Sequence, residues 1–256
     1  MTKAPIPSYG APPLSEVVFG VLFEPLPIQT RHFGQFWTEI QTDYPVTQDF
    51  PPVPDVGELP SINVMMMPPL RRVFMATAST EFGMQLQENR FHYNWRKLAP
   101  DAQYPRFNPV FDRFLNSWGL FSDFLKRQSL PEPRPKRYEL SYVNELNSAG
   151  NLAAEQTVKL FDWQRIEAEF LPKPQGTNIA WSFPLPNEKG TMNVSTNRFT
   201  KPDGRSAIVL TLVCSGPSSP EKYPLNEWFE TAHEWIVHGF TDLTTAEAHS
   251  AWRREK

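Results

Sequence analysis

A chain of 256 residues is long enough for one large domain or two small ones, and folding can bury roughly 70 to 75% of its unfolded surface. A formal net charge of −3 excludes the broad basic field that coats nucleic acid or anionic membrane indiscriminately, although a local basic patch is allowed. The single cysteine, Cys214, excludes an intrachain disulfide framework and a multi-cysteine metal centre, and 19 Phe and 8 Trp point to an aromatic-rich core.

Residues 1–13 hold one lysine and four prolines where a signal peptide needs an apolar stretch, and no run of about 18 apolar residues occurs anywhere. A cytoplasmic protein with no membrane segment is expected. The 27 prolines cluster at 5–13, 51–60, 68–69, 131–135 and 172–186, so rigid extended connections should separate the elements. Residues 17–23 form an apolar run suited to a buried strand. Thr30 then stands where an N-cap belongs, ahead of Phe33, Phe36, Trp37, Ile40 and Tyr44 at helical spacing. Residues 62–67, 73–79, 82–88 and 90–96 read as four successive strands. Asn108 and Pro109 open a helix with Val110, Phe111, Phe114, Leu115, Trp118, Phe121, Phe124 and Leu125 on one face.

After a linker at 131–135 the order recurs. A strand at 138–146 is followed by a weaker helical stretch at 152–161, then by strands at 166–170, 178–183, 191–197 and 207–214, with a turn at Pro202, Asp203 and Gly204. A long helix carries Leu225, Trp228, Phe229, Ala232, Trp235, Ile236 and Phe240. Thr244 with Glu247 makes a capping box for a short last helix. Two β-α-β4-α units, 1–130 and 136–256, are therefore expected in one continuous α+β structure, an antiparallel sheet with helices packed on one face. The order looks like a TATA-binding-protein-like or helix-grip arrangement.

Strict alternation at 82–96 marks the candidate site. Phe91, Tyr93 and Trp95 share one face with Phe82, Met84 and Leu86, and Gln85, Gln87, Arg90, His92, Asn94 and Arg96 share the other. Such multi-donor groups suit recognition better than the Lys, Glu and Thr of an ordinary solvated strand, so an open binding face is expected there. Asn193, Ser195 and Asn197 form an equivalent row in the second half, alternating with Met192, Val194 and Thr196.

Motifs for chemistry are weak. His233 and His238 resemble a zinc-protease pair, but at a spacing of five they project about 140° apart on a helix and cannot share a metal. There is no Gly-x-Ser-x-Gly elbow and no glycine-rich phosphate loop, and Cys214 ends an apolar strand as a buried inert thiol would. Glu167 and Glu169 alternate as on a solvated strand. Asn144 shares the face of Tyr138, Leu140, Tyr142 and Leu146, so its amide is expected to be a hydrogen-bonded structural group. No catalytic residue, cofactor or metal is assigned.

Several short segments, in order, carry a resemblance. They are Pro13-Leu14-Ser15-Glu16-Val17-Val18-Phe19-Gly20, Gln85-Leu86-Gln87 with Arg90-Phe91 and Asn94-Trp95, Tyr104-Pro105, Leu140-Ser141-Tyr142-Val143-Asn144, and the ending from Ala232-His233 through Phe240 and Leu243-Thr244 to Trp252. Together they resemble a sporadically distributed prokaryotic family of about this length, for which no activity is established. The resemblance implies no catalytic residue. Its patchy distribution implies a mobile or defence-associated gene neighbourhood.

Three functions follow in order of preference. The first is a non-enzymatic recognition protein binding a protein or peptide partner on the polar sheet face, in a defence or toxin–antitoxin-like module. The second is a nucleic-acid binder, with Arg71, Arg72, the basic residues of 126–137, Arg253 and Arg254 on phosphates. The third is an enzyme with His92 or His233 as a general base. A homo-oligomer is compatible with all three.

Overall fold

The computed structural model describes residues 5–52, 71–147, 152–159, 176–200, 206–217 and 220–255. Its strands are β1 (Leu14–Phe23), β2 (Val46–Phe50), β3 (Arg72–Ala76), β4 (Phe82–Gln87), β5 (Arg90–Arg96), β6 (Pro135–Leu146), β7 (Gly176–Pro184), β8 (Thr191–Thr200) and β9 (Ser206–Gly216). The helices are α1 (Thr30–Ile40), α2 (Phe107–Arg127), α3 (Leu225–Leu243) and α4 (Ala246–Ala251). The fold is α+β, and the strands form an open antiparallel sheet in the order β2-β3-β4-β5-β1-β6-β9-β8-β7. No helix among the described residues is long and apolar enough to cross a membrane.

Two compact units share the chain: Val18–Arg96 with Arg106–Arg137, and Met1–Val17 with Lys97–Pro105 and Tyr138–Lys256. In the first, the element order is β1, α1, β2, β3, β4, β5, α2. Its core is aromatic because β1, β5 and α2 all present rings at the spacing their backbones dictate. Phe19 stacks on Phe111 and Phe114 with centroids 5.5 and 5.4 Å away, and Phe91 stacks on Phe121 at 5.6 Å. Phe33, Phe36 and Ile40 of α1 are buried, and Phe36 meets Phe121 edge-on. A buried polar trio, Tyr44, Tyr93 and Ser117, joins its hydroxyls across this core.

The second unit packs α3 on β8 and β9. Trp228, Phe229, Ala232, Ile236 and Phe240 are the buried side of α3, while Met192, Val194, Ile208, Leu210, Leu212 and Cys214 are the buried side of the strands. The approach is close at Gly239, where a Cβ would lie 2.9 Å from Met192 Cε. Tyr9, Phe240, His249 and Trp252 form a further aromatic cluster. Asn144 donates its amide to Leu210 O at 3.2 Å, the structural role its face required.

Some expectations need correction. The stretch at 152–161 was expected to be helical, but of its described residues only Ala154–Thr157 coil, as a single 3-10 turn. β2 carries no apolar alternation and was not anticipated; its order comes from the antiparallel ladder with β3. The N-cap of α1 is Gln29 rather than Thr30, because the His32 imidazole reaches back to accept from Gln29 N–H at 2.9 Å. The cap of α4 is Thr245, whose hydroxyl accepts from Ala248 N–H, whereas Thr244 is buried and donates to Phe240 O. The expected strands at 62–67 and 166–170 and the turn at 202–204 lie outside the described residues.

Candidate functional site

The β-ladders place the polar row as alternation requires. Gln85 pairs with His92, Gln87 with Arg90 and Gly83 with Asn94, and directly paired residues project to the same face. The β3–β4 register adds Phe74 opposite Gln85 and Ala76 opposite Gly83, so Arg72, two residues before Phe74, joins the row.

The row is not open. Gln85, Gln87, Arg90, His92 and Asn94 are each 9% exposed or less, and only Arg96 is exposed. The face expected to be open is instead buried, and hydrogen bonds from Arg72 to Gln85 and from Gln85 to Asn94 tie its side chains to one another. Phe74 packs close against Gly83, where a Cβ would come 2.5 Å from its ring, and the Arg96 guanidinium sits over Phe74 at 5.4 Å. The Arg72 guanidinium sits over Phe50 at 4.9 Å.

Inside the row a chain of hydrogen bonds runs from Arg72 Nη1 to Gln85 Oε1 at 2.9 Å and from Gln85 Nε2 to Asn94 Oδ1 at 2.7 Å. Gln87 Nε2 donates to Asn89 Oδ1 at 3.1 Å. Two buried nitrogens have no hydrogen-bond partner, Nε of Arg72 and Nε2 of His92. Burial, with the charges of Arg90 and Arg72, pushes His92 down to about 3. Burial and then the charges of Arg90 and Arg96 lower Arg72 too. The pattern could have revealed Arg72 only by reading Arg72, Phe74 and Ala76 as a continuation of the polar face, and Phe74 disguises it.

A truly uncovered face exists in the other unit, at the row Asn193, Ser195 and Asn197. Asn193 and Asn197 are exposed and Ser195 half-buried, while Met192, Val194 and Thr196 are buried beneath. Ala180 and Ser182 of β7 pair with Ser195 and Asn193. With Val213 they line a shallow depression of about 360 Å³. Ser182 Oγ donates to Asn193 Oδ1 at 2.8 Å.

The helical histidines separate as their spacing predicts. His233 Nδ1 lies 3.0 Å from Tyr142 Oη, which lies 3.1 Å from Tyr104 Oη. Burial lowers His233 to about 4. His238 instead lines a cavity of about 410 Å³ with Phe183, Trp235 and Asp242. Among the described residues no group of three or more His, Cys, Asp or Glu could hold a metal ion. Cys214 is fully buried, and burial pushes its thiol well up.

Because His92 and His233 both titrate lower in the folded chain than in the unfolded one, the unfolded chain takes up protons first as pH falls. Their neutral forms therefore contribute stability that is complete above about pH 6.5 and is lost progressively toward pH 4. Urea unfolding midpoints should fall across that window, and they should fall less in His233→Phe than in the wild type. Equal slopes for the two proteins would show that His233 is not held neutral.

Four of the nine basic residues considered for phosphate contact pair with carboxylates. Arg71 meets Asp49 at 3.1 Å, Lys126 meets Glu132 at 3.5 Å, Lys136 meets Glu24 at 3.6 Å, and Arg127 pairs with Glu39. No family model matches the chain, and no curated protein matches it.

Proposed function

We propose that this chain is a non-enzymatic recognition protein that binds a protein or peptide partner, with the uncovered face of β7, β8 and β9 as the contact. The observation that carries this reading is the chemistry of that face. Ala180, Ser182, Asn193, Ser195, Asn197, Val209, Thr211 and Val213 are half-buried or exposed, small and uncharged. A flat neutral surface mixing amide and hydroxyl groups with valines suits a protein surface, where hydrogen bonds and close shape fit supply the contact. Nucleic acid calls for cations on its phosphates, and none of the described residues of this face is a cation. The two imidazoles weighed as general bases favour the same reading, since conjugate acids near 3 and 4 make weak bases at neutral pH. A partner encoded beside the gene, in a two-gene defence or toxin–antitoxin-like module, is the first to try.

Ser195→Arg places a long charged side chain on the flat face and should leave the thermal midpoint close to wild type, because residue 195 projects away from the core. Tagged wild-type protein should co-purify with the product of the adjacent gene, and Ser195→Arg should lose it by roughly tenfold or more, the scale of one disrupted interface centre. Retention of the partner by the variant at a matched midpoint would overturn the reading. So would bound material that nuclease removes.

A further inference from the structure

The cavity of about 410 Å³ beside α3 has two chemically different walls. Glu234, His238 and Asp242 follow one another at intervals of four residues on α3, so they form one stripe of the helix and supply the polar wall. Trp235, Gly239 and Leu243 form the adjoining stripe, and Phe183 of β7 and Met192 of β8, directly paired across their ladder, complete the apolar wall. We infer that this cavity binds a small primary amine carried on an aromatic body, with Asp242 and His238 taking the ammonium group and Trp235, Met192 and Phe183 taking the ring.

The volume lies within the range of pockets that hold small molecules, which are mostly apolar with a few polar groups fixing the ligand's orientation. Met192 is buried, Trp235 is half-buried and Phe183 is 36% exposed, so a ring seated among them covers apolar surface that water now touches. Charge then selects the sign of the ligand. Two of the described lining residues are carboxylates and none is Lys or Arg. The Asp242 carboxylate forms no ion pair with a described residue, since Lys159 Nζ donates at 2.8 Å to the backbone carbonyl of Asp242 instead. Asp242 alone, without Glu234, therefore supplies the countercharge. A neutral imidazole keeps one acceptor nitrogen in either tautomer, so His238 adds an acceptor for an ammonium N–H. The faces of Trp235 and Phe183 favour a cation further. An organic cation fits better than a metal ion, because no group of three or more His, Cys, Asp or Glu among the described residues is placed to hold one. Phe183 and Met192 project to the side of the sheet opposite Ser182 and Asn193, so the inference is independent of the neutral face of β7–β9.

The test titrates wild-type protein, isotope-labelled at its methionine methyl groups, with phenylbutylamine in one arm and phenylbutyrate in the other, slightly above neutral pH. The two probes share a ring and a chain and differ in the sign of their charge. A saturable shift of the Met192 methyl resonance is expected with the amine, which should bind about fivefold or more tightly than the acid. Asp242→Asn alters an exposed side chain and should weaken the amine by about fivefold, the net contribution of one ordinary hydrogen bond, without weakening the acid. A Met192 resonance that the amine leaves unmoved, or an acid that binds as tightly as the amine, overturns the inference in wild-type protein, with no variant required to fold. Amine binding unchanged by Asp242→Asn overturns it as well.

Discussion

Trp95→Ala should lower the stability of the protein by about 3 to 5 kcal/mol, the cost of emptying a large aromatic site, whereas Arg96→Ala should change it by about 0.5 kcal/mol or less. The two residues are neighbours on β5 and face opposite ways. Trp95 is fully buried on the helix side of the sheet, and its indole N–H donates to Glu81 Oε1 at 3.0 Å. Its removal opens a large void in the core and takes the indole donor from the half-buried Glu81 carboxylate. Arg96 is exposed, and its contact over Phe74 is the kind of surface cation–π pair that contributes little. Chemical denaturation of both variants measures the difference. Equal midpoints would mean that the register of β5 is shifted by one residue, since such a slip exchanges the two faces.

Gly190→Ala is expected to be about as damaging, at roughly 3 kcal/mol or more, through backbone geometry rather than lost packing. Gly190 has φ of +119°, a region that side-chain-bearing residues rarely adopt, and it lies where the start of β8 meets the end of β9. A Cβ there would stand 2.1 Å from Ser215 O and 2.7 Å from Gly216 Cα, both backbone atoms that cannot swing aside. The methyl group would force apart the ladder that begins with Thr191 opposite Ser215. Gly119 provides the control. It sits within α2 with open space around it, so Gly119→Ala should raise stability by about 0.5 to 1 kcal/mol through helix propensity alone. Thermal unfolding of the pair should move in opposite directions. A Gly190→Ala protein as stable as wild type would rule out the close approach.

The burial of the polar row changes what substitutions there can report. Replacing Asn94 with alanine removes the acceptor of Gln85 Nε2 inside the protein, so a variant lacking Arg90, Asn94 and Arg96 together loses stability along with any ligand.

Local periodicity in the sequence determined which residues share a face. The rings of α2, the apolar side of α3, the alternation of β4 and β5 and that of β8 are all set by the geometry of one element, 3.6 residues per helical turn and two per strand repeat. The α+β class follows from those patterns taken in order. Only the tertiary structure decided which faces meet solvent. Gln85, Gln87, His92 and Asn94 carry the same alternating signature as Asn193, Ser195 and Asn197, yet the first set is buried and Asn193 and Asn197 are exposed. Coverage depends on groups from other strands, such as Phe74 lying on Gly83 and Arg72 reaching Gln85, and no periodicity within a strand encodes what a neighbouring strand lays across it. The helix caps at Gln29 and Thr245 differ from expectation by one residue for a related reason. The winning cap is whichever contact reaches the free N–H in three dimensions, His32 Nδ1 at Gln29 and the Thr245 hydroxyl at Ala248, and composition alone leaves adjacent candidates equal.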